Sequence, residues 1–172
     1  MTMPISRIVL LPIDLSDPAS WRKPLAEALG IHVVPLRINF AERDYLDKVG
    51  LSTRDFYAKL REELLLPRTS QPPPGDFRRQ FEFLLSHHPS LVYVGLSRAV
   101  SGTLQSAETA AARVDAARAQ VFDTATAAGG QALLVMRAAE LAAQGASTEA
   151  ILDALASLRP STLTWAVARD LS

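Results

Sequence analysis

Short apolar runs alternate with longer segments in which apolar residues recur at helical spacing, and this alternation organises the chain. Continuous apolar runs at 8–11 and 91–96 predict buried strands, a β-rich run at 31–40 and a short run at 120–122 predict two more, and a run at 163–167 predicts a last one. Helical spacing predicts helices at 21–29, 52–65, 77–85, 103–118, 125–143 and 147–158. The tryptophans Trp21 and Trp165, and the phenylalanines at helical spacing, are predicted to lie in the core.

Local signals set several element boundaries. Gly30 predicts the end of the first helix. Pro35 lacks a backbone donor, so the strand at 31–40 is expected to lie at an edge or to bulge there. Ser52-Thr53-Arg54-Asp55 resembles a capping box in which Asp replaces the usual Glu. Ser147 predicts the start of the last helix in the same way.

The order of these elements predicts the fold class. Strands that alternate with helices favour a parallel sheet covered by helices on both faces. We therefore expect a three-layer α/β/α fold with a mostly parallel sheet. The length of 172 residues favours a single domain. In such sheets ligands bind beyond the carboxyl ends of the strands, so polar residues that directly follow a strand become the candidate site.

Composition and charge narrow the function classes. Eighteen basic residues balance eighteen acidic ones, so no excess of either sign indicates a nucleic acid or an anionic membrane as partner. The chain has no cysteine, which excludes disulfides, thiolate metal sites and a cysteine nucleophile. No apolar run reaches the ~18 residues of a membrane span, and the run at 8–13 is too short for a signal-peptide core. We therefore expect a cytoplasmic protein.

A hydroxyl-rich turn follows the predicted strand at 91–96. Ser101-Gly102-Thr103 lies where this strand has ended and a helix begins. The first N–H groups of a helix have no internal partner, and the helix dipole favours negative charge there. Gly102 would also let a ligand approach the backbone closely. The turn therefore predicts a small anion site for a carboxylate or phosphate, with a hydroxyl N-cap that holds no ligand as the alternative.

Two other polar segments are weaker candidates. Thr69-Ser70-Gln71 lies in a proline-rich loop at 67–75, and rigid loops lose little entropy when they bind; the alternative is a plain connector. Asp123-Thr124 follows the run at 120–122 and is either part of a site or a helix cap. The three histidines show no metal-ligand spacing, and no nucleophile or base follows from spacing alone. We therefore expect no metal, no cofactor and no catalytic residue.

Several motifs occur in order along the chain: Gly30-Ile31-His32-Val33-Val34-Pro35-Leu36, Thr53-Arg54-Asp55-Phe56-Tyr57, Thr69-Ser70-Gln71-Pro72 with Gly75 and Phe77, Ser101-Gly102-Thr103-Leu104-Gln105-Ser106-Ala107, and Asp123-Thr124 with Gly129. They resemble the DegV family, whose patterns read G-I-x-V-V-P-L, T-S-Q-P, S-G-T-x-Q-S-A and D-S…G. The motif that begins at Ser101 matches almost letter for letter. Because they also occur at consistent spacing, the chain is identified as a member of this family.

The resemblance implies a protein that holds a long-chain fatty acid between two domains and presents it to a partner fatty acid kinase. The protein itself would not be an enzyme. Carried over by motif, Thr69, Ser70, Ser101 and Thr103 would contact the carboxylate, and Gly102 would let it approach the helix N-terminus.

The chain departs from the family pattern in two places. The first loop of the family reads D-S-x-x-D-L, but here Leu10-Leu11 stands where the Asp-Ser pair is expected. The sequence also ends at Ser172, where the family continues into a second domain that adds a basic or imidazole partner for the carboxylate. We therefore expect 1–172 to form a single DegV-like N-terminal domain without the C-terminal domain.

The second departure leads to an expectation about association. A domain without its partner would leave an apolar groove in solvent, and large exposed apolar patches usually mark contact surfaces. We expect the groove to be covered, most simply by a second copy in a homodimer. Side chains such as Leu10 and Leu11 that fill the groove are the alternative. That alternative favours a rival function, a single-domain interaction module that has lost lipid binding; an enzyme acting on a small anionic substrate ranks third.

Overall fold

The structure is a computed structural model that describes residues 7–10, 26–40, 43–47, 49–63 and 66–165, with the backbone alone for 7–10. The strands are β1 (Arg7–Leu10), β2 (Ile31–Val33), β3 (Arg37–Phe40), β4 (Arg43–Leu46), β5 (Arg68–Ser70), β6 (Leu91–Gly95) and β7 (Ala119–Asp123). The helices are α1 (Thr53–Glu62), α2 (Pro74–His87), α3 (Thr103–Val114), α4 (Ala128–Ala143) and α5 (Thr148–Leu158), which leads into a 3₁₀ turn, Arg159–Ser161.

The main sheet contains four strands in the order β2-β1-β6-β7, and each neighbouring pair is parallel. All five residues of β6 are buried, as expected for a strand with helices on both faces. Leu91 and Tyr93 face α2 and α3, whereas Val92 and Val94 face α4 and α5. The predicted three-layer α/β/α fold is therefore confirmed.

A second, smaller sheet was not expected. The apolar run at 31–40 forms two strands, because β2 joins the parallel sheet while β3 pairs antiparallel with β4 and β5 in the order β4-β3-β5. Pro35 explains the break, since it cannot donate to a strand ladder and lies between the two segments. The segment predicted as a loop at 67–75 supplies β5 and the start of α2. The prediction of one continuous strand was therefore wrong.

The ends of two helices also differ from the prediction. The helix predicted at 103–118 ends at Val114, because the carboxylate of Asp115 accepts hydrogen bonds from the N–H groups of Ala117 and Arg118 and closes a turn. The helix predicted from residue 125 begins at Ala128. Ala125 and Ala128 have φ values of 53° and 49°, left-handed conformations that keep the right-handed helix from starting earlier.

The run at 163–167 does not form a strand in its described part, residues 163–165. Instead, the Thr164 hydroxyl donates to the carbonyl oxygen of Ala127 at 2.9 Å, so this segment lies over the start of α4. Trp165 is 89% exposed, and its predicted place in the core was therefore wrong. The other predicted core tryptophan, Trp21, lies outside the described residues, as do residues 166 and 167.

N-terminal caps hold the starts of α1 and α5, as the sequence predicted. The hydroxyl of Ser52 accepts a hydrogen bond from the N–H of Asp55 at 3.1 Å, and that of Ser147 accepts from the N–H of Ala150 at 3.2 Å. Gly30 has a φ of 61°, the left-handed conformation expected where a helix ends.

The Ser52 cap makes a testable contribution to stability. Ser52→Ala should lower the free energy of unfolding by about 1 kcal/mol, because one orphan N–H of α1 loses its acceptor. Ser86→Ala is the matched control, since that hydroxyl lies near the end of α2 and its partners, the Phe83 carbonyl oxygen and Nδ1 of His87, belong to the same helix. Urea denaturation measures both, and equal losses in the two variants would contradict the capping role.

Candidate functional site

The candidate site lies at the carboxyl edge of the main sheet. β6 ends at Gly95, the chain turns through Ser97 to Ser101, and α3 begins at Thr103. The N–H of Ser97 donates to the carbonyl oxygen of Thr126 at 2.8 Å, which ties this turn to the loop between β7 and α4. The predicted order of a buried strand, a turn and a helix N-terminus is therefore present, with the S-G-T motif at the junction.

The hydroxyls of Ser101 and Thr103 form a pair whose oxygens lie 2.9 Å apart. The Ser101 hydroxyl also accepts a hydrogen bond from the N–H of Thr103 at 3.3 Å. Ser101 is half-buried, whereas Thr103 is 0% exposed beneath it. Ser101 is therefore the hydroxyl of this pair that faces outward, and Thr103 supports it from below.

Gly102 is the N-cap of α3 and makes no side-chain capping bond. Its φ of −72° and ψ of 1° are open to any residue, so the backbone does not require glycine here. The surrounding space requires glycine instead, because a Cβ built at Gly102 would lie 2.2 Å from Oε1 of Gln71. The side chain of Gln71 therefore occupies the close approach that we expected for a ligand.

Thr69 and Ser70 lie in β5 and are both exposed. β5 pairs with β3 in a register that sets Thr69 opposite Ile38 and Ser70 opposite Arg37. Two exposed hydroxyls are thus held by a strand ladder, which is a stiffer support than the loop expected from the prolines.

Gln71 connects this strand to the S-G-T turn. Its Nε2 donates to the hydroxyl of Ser106 in the first turns of α3 at 3.3 Å, and its amide lies over Gly102. The two motifs that resemble the family most are therefore in contact in the folded chain. That Thr69 itself lies close to Ser101 stays a prediction. The sequence placed Gln71 in a candidate segment without a role of its own and gave no role to Ser106, although both are letters of the quoted motifs.

Charged side chains border the same edge. The Arg98 guanidinium bonds Glu108 at 2.6 Å and Asp123 at 3.4 Å, and these carboxylates, Glu108 first, raise the pKa of Arg98. The Asp123 carboxylate also accepts from the N–H of Ala125 at 2.9 Å. Asp123 therefore holds a turn and an arginine instead of capping α4, and the positive charge of Arg98 is already balanced by two acids.

Tyr93 lies in β6 two residues before Gly95 and is 0% exposed. Its hydroxyl has no hydrogen-bond partner in the part of the chain that the structure describes, and burial raises its pKa. A Cβ built at Gly95 would lie 2.7 Å from Cε1 of Tyr93 and 2.4 Å from Cδ1 of Leu104. The ring therefore leans along β6 toward the candidate site and fills the space that glycine leaves.

The helices of the described residues include none that is long and apolar enough to cross a membrane.

The fold and the edge together define a class of protein, an α/β domain with a parallel sheet whose carboxyl edge carries paired hydroxyls at a helix N-terminus. A family model described as "Uncharacterised protein, DegV family" matches residues 19–172. The chain belongs to the DegV family.

Sequence relatives agree with this assignment. A DegV domain-containing protein of Halalkalibacterium halodurans is 40% identical over 148 residues, which cover 86% of this chain and 52% of the relative. The chain spans about half the length of the curated relatives that it matches.

Solved structures share the fold. The DegV family protein from Thermus thermophilus, described for its fatty acid binding, is 35% identical with a TM-score of 0.78 over 92% of this chain and 54% of that one. DegV of Bacillus subtilis, called a fatty acid binding protein, is 29% identical with a TM-score of 0.80 over 92% and 55%. The fatty acid kinase B3 protein of Streptococcus pneumoniae, loaded with linoleic acid, is 23% identical and shows the fold alone, with a TM-score of 0.71 over 93% and 55%.

Proposed function

We propose that this protein binds a fatty acid and holds its carboxylate at the carboxyl edge of the main sheet, between the hydroxyls of β5 and the start of α3. The proposed contacts are Thr69, Ser70, Ser101, Gly102 and Thr103. The observation that carries the proposal is the contact of Gln71 with Gly102 and Ser106, because it joins the two hydroxyl motifs. The Thermus thermophilus and Bacillus subtilis structures, both described for fatty acid binding and both above 25% identity, share this fold.

The chemistry of the edge suits a carboxylate. The first N–H groups of α3 have no partner within the helix, and their dipoles favour an anion. The hydroxyl of Ser101 can donate a hydrogen bond directly to a carboxylate, because Ser101 is half-buried and faces outward. Thr103 is 0% exposed and shares its bond with Ser101, so it reaches a ligand only if the pair rearranges. We therefore propose Ser101 as the principal hydroxyl contact.

The acyl chain needs an apolar surface next to this head-group site. Val100 directly precedes Ser101 and is 68% exposed, and Val33, at the carboxyl end of β2, is 39% exposed. We propose that part of the acyl chain lies against such residues. That a second copy of the chain covers this surface stays a prediction.

We further propose that the protein acts as a carrier in the cytoplasm and presents the carboxylate to a fatty acid kinase, without catalysis of its own. The motif resemblance supports this partner, and the Streptococcus pneumoniae neighbour that carries linoleic acid is named for such a kinase. A carrier needs a head group that is bound by hydrogen bonds and left chemically unchanged, and the hydroxyls of Ser101 and Thr69 meet that need. The rival function, an interaction module without lipid, predicts an empty protein.

Native mass spectrometry of the purified protein separates these two functions. A carrier should show added mass equal to a fatty acid, and extraction followed by lipid analysis should identify the chain. An interaction module should show the mass of the polypeptide alone and should not gain mass when dodecanoate is added.

Ser101→Ala should weaken the binding of dodecanoate about tenfold to a hundredfold, because a charge-assisted hydrogen bond is worth roughly 1.5–3 kcal/mol. Isothermal titration calorimetry measures the change. Ser86→Ala is the matched control, since Ser86 lies near the end of α2 that leads into the start of β6, at the opposite edge of the sheet. Unchanged affinity in Ser101→Ala would move the head-group site elsewhere.

A further inference from the structure

We propose that Gln71 is a positioning residue of the head-group site: it holds the hydroxyl strand β5 against the start of α3, and Gly102 is glycine so that this contact can form. The binding part of this inference rests on the proposed function, whereas the contact itself does not.

The contact has two components. Nε2 of Gln71 donates to the hydroxyl of Ser106, which is 3% exposed, so one end of the amide is fixed to a buried group on α3. The amide also lies directly over Gly102, where a Cβ would meet Oε1 at 2.2 Å, Cδ at 3.1 Å and Nε2 at 3.3 Å. Real Cβ atoms essentially never show a contact as short as the first of these, so a side chain at position 102 would push the flexible amide of Gln71 aside.

The backbone offers no other reason for the glycine. Gly102 has a φ of −72°, and residues other than glycine adopt that conformation without strain. Helix N-caps favour Ser, Asp or Asn over glycine, which ranks with Thr, since those side chains accept a bond from the helix N–H groups. Space for Gln71 is therefore the physical requirement that the structure places on this position.

Gln71 controls the distance between two parts of the proposed site. Thr69 and Ser70 directly precede it at the end of β5, and the small sheet is also tied to α2 by the Arg37–Asp76 ion pair at 2.9 Å. That ion pair fixes β3 to α2, whereas Gln71 fixes the end of β5 to α3. Loss of the contact should let the hydroxyls of β5 move away from Ser101 while the main sheet stays folded.

A double-mutant cycle on Gln71→Ala and Gly102→Ala tests the contact by thermal unfolding. Gly102→Ala alone should lower Tm by about 3 °C, because the added methyl group pushes the amide of Gln71 aside and breaks its bond to Ser106. In the Gln71→Ala background the same change should have almost no effect, since the space has been vacated. Gly75→Ala is the matched control: a Cβ there meets nothing within 4 Å, and Tm should stay within about 2 °C. An equal loss of Tm in both backgrounds would overturn the inference.

Calorimetry with dodecanoate tests the positioning role. Gln71→Ala and Gly102→Ala should each weaken affinity about tenfold, and the double variant should bind no more weakly than either, because all three lose the same contact. Unchanged affinity in Gln71→Ala would reduce the residue to a structural role. If the unaltered protein does not bind dodecanoate, the proposed function fails, while the thermal cycle still decides whether the contact exists.

Discussion

Replacing Tyr93 with alanine is expected to lower the free energy of unfolding by about 3–5 kcal/mol, whereas phenylalanine at the same position should leave it unchanged or raise it by about 1 kcal/mol. The two substitutions differ because the ring and the hydroxyl of Tyr93 have opposite contributions. The ring is 0% exposed on the central strand and packs against Phe77 and Phe81, with ring centroids at 5.2 and 6.2 Å. Alanine would leave a cavity between β6 and α2.

The hydroxyl, in contrast, lowers the free energy of unfolding. It is buried and has no partner in the part of the chain that the structure describes, so folding removes it from water without a replacement bond. Burial also raises the pKa of Tyr93, so the phenol, which is already neutral at physiological pH, stays protonated in the core. Phenylalanine retains the ring and removes only this cost.

Urea denaturation of the three proteins measures both effects under one condition. A loss of more than about 1 kcal/mol in Tyr93→Phe would show that the hydroxyl has a hydrogen-bond partner after all, such as an ordered water. A loss of less than about 2 kcal/mol in Tyr93→Ala would show that α2 can close onto the strand and refill the space.

The sequence predicted the main sheet well because its signals are local and strong. The short apolar run of β6 is typical of a strand with helices on both faces. Gly30 marks a helix end and Ser52 a helix start by backbone chemistry that does not depend on distant neighbours. The S-G-T turn follows directly from the end of such a strand. These features therefore required no knowledge of tertiary packing.

The small sheet could not be predicted in the same way. β4 reads Arg-Asp-Tyr-Leu, and only its antiparallel pairing with β3 makes it a strand. Trp165 shows the opposite error: its apolar side chain predicted burial, but it is 89% exposed and lies in none of the strands that the structure describes. Both errors concern residues whose state depends on what lies beside them in space.

The candidate site also combines features that depend on local sequence with features that depend on distant neighbours. The hydroxyls of Ser101 and Thr103 could be nominated from a strand-to-helix junction, but the reason for Gly102 could not, since Gln71 lies far away in the sequence. A glycine in a motif predicts close approach, while only the fold identifies the group that approaches.

The second large effect is expected at Arg118, which follows α3 and bonds the end of α2. Its guanidinium donates to the carbonyl oxygens of Leu85 and Pro89 at 2.7 Å and of His88 at 2.8 Å. The last carbonyls of a helix have no partner within it, and a cation suits the negative end of the helix dipole. Arg118 therefore completes the turn through which the chain enters the central strand.

Arg118→Ala should lower the free energy of unfolding by about 2–4 kcal/mol, because three charge-assisted hydrogen bonds are lost and only the more exposed carbonyls regain water. Arg137→Ala is the matched control, since its exposed pair with Glu140 should contribute about 0–1 kcal/mol. Because Arg118 lies at the amino edge of the sheet, dodecanoate affinity measured well below Tm should not change. A fall in affinity that matches the fall in stability would show that the two edges are coupled, and a loss no larger than that of Arg137→Ala would remove the capping role.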